Sequence, residues 1–401
     1  MKNSSQVLLA PLVVCVAVIL TSTQATAQAL SELSLADALA AALQHDNSSA
    51  VSATSPSYQA SSWLAELPSL KLNYLGSDER YGTDETELSV NLPVKSSRRR
   101  SADAKLESLA TELDEAGLRQ RELYYSGLIR EAVWSYRLAD ARRRFAADKR
   151  QVLLDMERRQ RELFEASAVT EYPLLLLQTE LVDVELAQQD HLHEARQWLQ
   201  RYRQVTGLDS LPGEIREAAP DQGNFEPGLQ PQLRLLESGY RQRRQLLRAN
   251  SAQAADWNLS LTAKNLDTAG FDEQQYGLGV EIPLSGLDIA RQSDNAEWRA
   301  AERDYLQARD QLLNEAFGSW ERLLNSRETL LNRKALLQKS EQLATRIADQ
   351  LAQLQASNEI AQEIVLRRMM DAIDSRAAVA INGILIDQNN AMLRQAAGIS
   401  L

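Results

Sequence analysis

One cysteine, Cys15, stands in the whole chain, and it lies inside an apolar run near the N-terminus. Downstream of it, neither a disulfide nor a cysteine metal site can stabilise the fold. Proline and glycine are also scarce, 10 and 16 in 401 residues. With abundant Ala, Leu, Gln, Glu and Arg, that scarcity predicts long helices. Past residue 30 no apolar run approaches the roughly 20 residues of a membrane-spanning helix. Entry into a bilayer would have to be through strands. The formal net charge of −11 argues against nucleic acid as a partner, which selects a basic face.

Chemistry-bearing patterns are missing as well. His191 and His193 sit two apart on a helical stretch and point to different faces, and His45 is alone, so no metal site is expected. Met369-Met370 is the only adjacent pair among five methionines, which excludes a methionine relay. There is no Ser/His/Asp order, no Gly-rich phosphate loop and no metalloprotease helix. Carboxylates are spread over every helical face, so no catalytic pair stands out. The expectation is a non-enzymatic chain without a cofactor.

What is present begins with a targeting segment. Lys2 precedes the apolar run Leu8–Leu20. Small residues at Ala25/Ala27 and Ala27/Ala29 allow cleavage after Ala27 or Ala29, which removes residues 1–27 and places the mature chain outside the cytoplasm. Lipidation of Cys15 is disfavoured because Val14, not a small residue, precedes it.

The mature chain is written twice. At an offset of 190, Leu88, Val90 and Leu92 in LSVNLPV match Leu278, Val280 and Ile282 in LGVEIPL. Pro93 matches Pro283, and Ala166-Ser167 matches Ala356-Ser357, 73 residues beyond the proline in both copies. Such ordered spacing marks a tandem duplication. The first repeat covers 28–210 and the second 232–401, with a Pro/Gly/acid-rich linker or irregular belt at 211–231. Each repeat carries a hairpin of alternating apolar and polar residues, at about 68–93 and 257–283. The turns are read at 76–86 and Asp267–Asp272, and the strands end at their prolines.

A long proline-free helix follows each hairpin, about 98–164 and 289–354. Leu106, Leu109, Leu113 and Ala116, and likewise Trp298, Ala301, Tyr305, Ala308 and Leu312, repeat at coiled-coil spacing. Such a helix is a rod of roughly 100 Å and must pack lengthwise on other rods. Short turns at 165–170 and 355–360 lead into return helices at about 170–206 and 359–397. A shorter helix precedes the second hairpin at about 232–254, whereas its counterpart at 47–62 is weakened by serines and Pro56.

Several segments carry a family resemblance. They are LSLADALAAAL (33–43), LPSLKLN (67–73), LPVKSSRRRSADA (92–104), ELFEASAVTEYPLLLLQTEL (162–181) and IPLSGLDIARQSDNA (282–296). In this order and spacing, over essentially the whole mature chain, they resemble the TolC family of outer-membrane efflux proteins. The resemblance implies a mainly α fold with two short β-hairpins. Three copies would share a twelve-stranded barrel in the outer membrane and a periplasmic α-barrel of long helices. It implies a homotrimer in contact with outer-membrane lipid, a periplasmic adaptor (membrane fusion) protein and an inner-membrane transporter. The duct would be passive and would open by untwisting at the helix tips. Drugs, metal cations and polypeptides all remain open as cargo.

The resemblance also assigns residues. The tips Ala166, Ser167, Ala168 and Ala356, Ser357, Asn358 would dock the adaptor through small side chains. Ser167 and Ser357 stand where the family has glycine, and Lys95 and Ser285 replace its aromatic after the strand proline. Of the family's two acidic constriction positions, this chain keeps Glu363 and has Leu366 at the other. Arg98, Arg99 and Arg100 read either as anchors at the membrane rim or as a solvated helix start. Trp63 and Trp257 read as an interfacial girdle or as caps on the helices below. The hairpins offer few apolar rows, so a periplasmic coiled-coil scaffold or adaptor-like protein is the alternative.

Overall fold

The structure is a computed structural model that describes residues 33–49, 62–220, 225–249, 256–283, 292–356 and 362–401. The targeting segment and Cys15 lie outside these residues. So does most of the weak helical stretch at 47–62. Residues 33–401 form one compact unit.

The described elements are α1 (Leu35–Ser49), β1 (Ser69–Leu75), β2 (Thr83–Val94), α2 (Ser97–Glu165), α3 (Tyr172–Thr206), α4 (Pro231–Ala249), β3 (Trp257–Thr268), β4 (Phe271–Glu281), α5 (Gln292–Ala356) and α6 (Gln362–Ala396). The chain is mainly helical, with one small antiparallel sheet. α2 has 69 residues and α5 has 65, each about 100 Å long at 1.5 Å per residue. α3 packs back along α2, and α6 along α5. α4 lies against both long helices, and α2 also meets α6.

Local chemistry sets the helix ends. Ser34 and Asp37 form a reciprocal cap on α1: the Asp37 amide donates to Ser34 Oγ at 3.1 Å, and the Ser34 amide donates to Asp37 Oδ2 at 3.0 Å. Ser96 caps α2 by accepting from the Arg99 amide at 3.2 Å. α3 stops at Gly207 and α6 just before Gly398, both left-handed, at φ 70° and 81°. At Gly398 a Cβ would meet the Leu229 carbonyl oxygen at 2.7 Å, so glycine is required twice over.

The principal core joins α1, α2, α3 and the segment between the repeats. Ala38, Leu39 and Ala42 pack with Ile129, Val133 and Trp134, Tyr202 and Val205, and Ile215. A second cluster lies farther along α2, where Leu153 meets Leu177, Leu181, Val184 and Met370. A third gathers Trp320, Leu393 and Ala397.

Between the repeats, the described stretch, residues 211–220 and 225–230, is packed against the helices. Ile215 is buried, the Gly213 amide donates to the Leu33 carbonyl at 3.1 Å, and residues 227–229 make a single 3-10 turn. Its anchor is charged. Arg130 of α2, 1% exposed, donates from Nε and Nη2 to the two carboxylate oxygens of Glu217, at 2.9 and 2.6 Å. Its Nη1 donates to Gln395 Oε1 at 2.6 Å and to the Ile399 carbonyl at 2.9 Å. Arg394 Nε adds a 3.0 Å bond to Glu217. One buried guanidinium thus ties the first long helix, the belt and the end of α6 together.

The strand boundaries differ from the sequence expectation. β2 starts at Thr83, inside the expected turn. β3 and β4 continue to Thr268 and Phe271, so the second hairpin turns at Ala269-Gly270 alone, with Gly270 at φ 95°. Polar residues propagate the ladder past the apolar alternation, which period-2 hydrophobicity does not register. Pro93 sits within β2, opposite Asn258, and its carbonyl accepts from the Ala65 amide at 3.0 Å. A proline removes only a donor, so the ladder runs one residue past it.

Candidate membrane-spanning sheet and helix tips

The two hairpins, encoded far apart, form one continuous sheet in the order β1-β2-β3-β4. β2 and β3 pair over twelve residues, from Thr83↔Thr268 to Val94↔Trp257. Because side chains alternate across a strand, the register fixes two unlike faces. On one, Leu92, Leu259 and Val280 form a row; Leu70, Val90, Leu261 and Leu278 form the next; Leu72, Leu88, Ala263 and Tyr276 form a third. Val94 and Trp257 continue it at the helix end, and Tyr74 stands at the other. On the opposite face lie Ser69, Asn91, Ser260 and Gly279, then Lys71, Ser89, Thr262 and Gly277, then Asn73, Glu87, Lys264 and Gln275. An ion pair between Lys264 and Glu85 crosses that polar face.

The apolar face is uncovered. Leu72 is 68% exposed, Leu278 76% and Tyr276 79%. Both outer strands, β1 and β4, have a ladder on one side only. Water does not favour such a surface, and a bilayer does not tolerate its open edges. Closure with further strands, the apolar face turned to lipid, would satisfy both demands. Among the described residues no helix is long and apolar enough to cross a membrane.

The strands β2, β3 and β4 have 12, 12 and 11 residues, enough for a tilted crossing that needs about 9–11. β1 has 7. The apolar rows are fewer than the strand length suggests. Four rows about 6.7 Å apart span roughly 20 Å along the strand, against an apolar band of about 25 Å on outer-membrane barrels. Aromatic residues mark its ends, with Tyr74 and Tyr276 toward the loops and Trp257, 42% exposed, toward the helices. Trp63 stands beside this end, its carbonyl accepting from the Lys95 amide at 2.8 Å.

Arg98, Arg99 and Arg100 occupy the first turn of α2, just below the sheet. Arg98 and Arg100 are exposed; Arg99 is half-buried, with Nε 3.6 Å from Asp103. Asp103 also pairs with buried Lys95 at 2.6 Å. The run opposes the dipole of its own helix, whose N-terminus favours anions.

At the far end of α2, Ala166, Ser167 and Ala168 make the reversal into α3. The Ser167 amide donates to the Phe164 carbonyl at 2.8 Å and the Ala168 amide to the Leu163 carbonyl at 2.9 Å. This double bond pattern is a Schellman turn, which places its central residue in the left-handed region. Ser167 is there, at φ 57°, the one described non-glycine residue with positive φ. Ala356 is the last residue of α5; Ser357 and Asn358 lie outside the described residues. Glu363 is the second residue of α6, its side chain outside the description.

The two histidines of α3 have local partners. His191 Nδ1 is 3.7 Å from Glu194, and His193 Nε2 bonds the Gln197 amide at 2.8 Å. Two features escaped sequence reasoning. The Arg130–Glu217 pair joins residues 87 apart, and no local pattern encodes it. The β2–β3 pairing was signalled only by the matching amphipathic alternation of the two hairpins.

This architecture recurs in solved structures. VceC, an outer membrane protein of Vibrio cholerae, is 14% identical and covers 92% of this chain and 94% of its own, with a TM-score of 0.65. The fold is that of the TolC-type outer-membrane channels. The CmeC outer membrane channel of Campylobacter jejuni matches at 15% identity over 91% and 82% of the two chains, TM-score 0.59. The open-state MtrE outer membrane channel of Neisseria gonorrhoeae matches at 14% over 92% and 86%, TM-score 0.53. No protein-family model matches the chain, and no curated protein matches its sequence. At such identity it is the arrangement of TolC-type elements that is shared, including the duplicated hairpin and long-helix pair.

Proposed function

We propose that this chain is the outer-membrane duct of a tripartite export system, a homotrimer that passes solutes from a periplasmic adaptor and inner-membrane transporter to the exterior. The carrying observation is the uncovered amphipathic sheet with two open edges, set at the end of helices about 100 Å long. Three such sheets close a twelve-stranded barrel with the apolar rows outward and the polar rows, with Lys264 and Glu85, toward a water-filled lumen. The long helices, lacking a core thick enough to bury them within one chain, pack against those of neighbouring copies and continue the lumen through the periplasm. The component is passive and does no chemistry on its cargo.

In this reading Ala166, Ser167 and Ala168, together with Ala356, Ser357 and Asn358, form the tips that meet the adaptor. Three Glu363 carboxylates narrow the duct and favour cations. Arg98, Arg99 and Arg100 sit just below the strands, at the periplasmic rim of the outer membrane. A coiled-coil scaffold in the periplasm would leave the rows around Leu72 and Leu278 in water, a cost with no return. The test is mass and conductance: protein purified from the outer membrane in detergent should weigh three chains by light scattering and give stepwise conductance in a planar bilayer. A monodisperse single chain that leaves the bilayer silent would refute the duct.

A further inference from the structure

Among the long and return helices, contacts within the chain run in the order α5, α6, α2, α3: α6 packs on α5, α2 on α6 and α3 on α2. α3 and α5 are therefore the two edges of the set. Toward the tips each edge carries an apolar stripe that faces solvent. On α3 it is Leu175, Val182 and Leu186, and on α5 it is Leu336, Leu343 and Ile347, all between 41% and 71% exposed. Both stripes step by seven and then four residues, the spacing of a coiled-coil seam.

The two edges are opposite in charge. Residues 171–190 hold Glu171, Glu180, Asp183, Glu185 and Asp190 and no lysine or arginine. Residues 329–348 hold Arg333, Lys334, Lys339 and Arg346 against one acid, Glu341. Glu185 is engaged inside the chain, by Arg150 of α2 at 2.8 Å. The acids at 180, 183 and 190 border the stripe of α3, and Lys339 and Arg346 border that of α5.

Contacts inside the chain also set the levels of the two stripes. The Arg150–Glu185 pair and a 3.1 Å bond from Gln178 to Glu157 fix α3 against α2. Lys149 pairs with Asp374 at 3.0 Å, and Leu153, Leu181 and Met370 share one apolar cluster, which fixes α6 against α2. Asn382 donates to the Leu330 carbonyl at 3.1 Å and Arg327 to Asn390 at 3.0 Å, which fixes α5 against α6. Followed across, these contacts place Val182 level with Leu343 and Ile347, Asp183 with Arg346, and Asp190 with Lys334 and Lys339. Rotation about an axis along the helices leaves such levels unchanged, and a head-to-tail contact of this kind closes a ring.

We propose that the acidic edge of α3 seats against the basic edge of α5 in a second copy of this chain. Val182 packs at Leu343 and Ile347, Asp183 faces Arg346, and Asp190 faces Lys339. The proposal rests on the ring of copies in the duct reading and names the surfaces and the register that join them. Pairing like edges would set acids against acids and bases against bases, which repel; the charge division therefore selects the head-to-tail contact.

The chain has no cysteine beyond Cys15, so introduced thiols report single contacts. The full chain carrying V182C/L343C is treated with a short bismaleimide in the outer membrane and resolved in SDS, with light scattering of the detergent-purified protein alongside. The double variant should give two- and three-chain bands. V182C alone and L343C alone should stay at one chain, and the two coexpressed should give a two-chain band. Adding D183R/D190R to V182C/L343C should cut the three-chain band about twofold or more, and adding K339D/R346D as well should restore it. Three chains by light scattering without these bands, or bands from V182C alone, would overturn the seam and leave the duct standing, with another occupant on these stripes. A loss that K339D/R346D fails to restore would overturn the charge matching. A single chain by light scattering would overturn the seam and the duct together.

Discussion

Arg130 keeps a full charge out of water by giving its donors to Glu217, Gln395 and the Ile399 carbonyl. Breaking one partner of such a buried pair costs about 3–5 kcal/mol, whereas replacing both by apolar residues of similar size is close to neutral. Glu217→Ala should therefore lower the denaturant midpoint sharply, and R130M/E217M should recover most of the loss; a Glu217→Ala loss below about 1 kcal/mol would show that the pair is solvated. Ser167 holds a left-handed backbone, at φ 57°. A left-handed conformation costs a side chain about 1–2 kcal/mol that glycine avoids, so Ser167→Gly should stabilise the tip by about 1 kcal/mol in the same assay, and Ser167→Val should destabilise it. Neither effect was legible in the composition. Glu217 is one of several acids in a stretch that reads as a linker, and its partner stands 87 positions away. The departure from glycine at 167 was visible, but the bond pattern that makes it costly was not.

Among the elements, α1 is held by two carboxylates whose folded states prefer ionisation. The Ser34 hydroxyl and amide hold Asp37 below the usual carboxylate range, and the Tyr125 hydroxyl together with Arg121 does the same for Asp46. Depressed folded values mean that this stabilisation is complete above the ordinary carboxylate pKa of about 3.9 and is lost as pH falls through the lower folded values. Pepsin should nick α1 progressively faster below that range, and D37N/D46N should be nicked readily at the top of it; an α1 that stays equally protected would contradict the assignment. In the sheet the two faces make opposite predictions. Leu278→Arg places a charge among the apolar rows and should cost about 2–4 kcal/mol of insertion, read as a fall in the membrane-embedded fraction, while Thr262→Arg on the polar face should be tolerated. The apolar cores of these strands were readable from period-2 alternation. Their polar extensions, Thr83–Glu87 and Asn265–Thr268, were not, because only the partner strand makes those residues extended.

For the whole molecule, the duplication was the most informative feature of the sequence. Leu88, Val90 and Leu92 and their counterparts at 278, 280 and 282 carry the same alternation because both hairpins present it to the same side of one sheet. The stretch between the repeats reads in the sequence as a linker or an irregular belt; Ile215 within it is buried among residues of α1, α2 and α3, not by neighbours in sequence. In the duct, the sheet, with only about 20 Å of apolar rows, closes and spans a bilayer. Bacterial outer membranes are thinner than average, and local thinning costs fractions of a kcal/mol per Å, so this height suffices. The direct measurement is alkaline carbonate extraction of the outer-membrane fraction from a Gram-negative host expressing the chain. The chain should stay in the pellet, and Leu278→Arg should move it toward the supernatant. Release of the unaltered chain into the supernatant would contradict a spanning sheet.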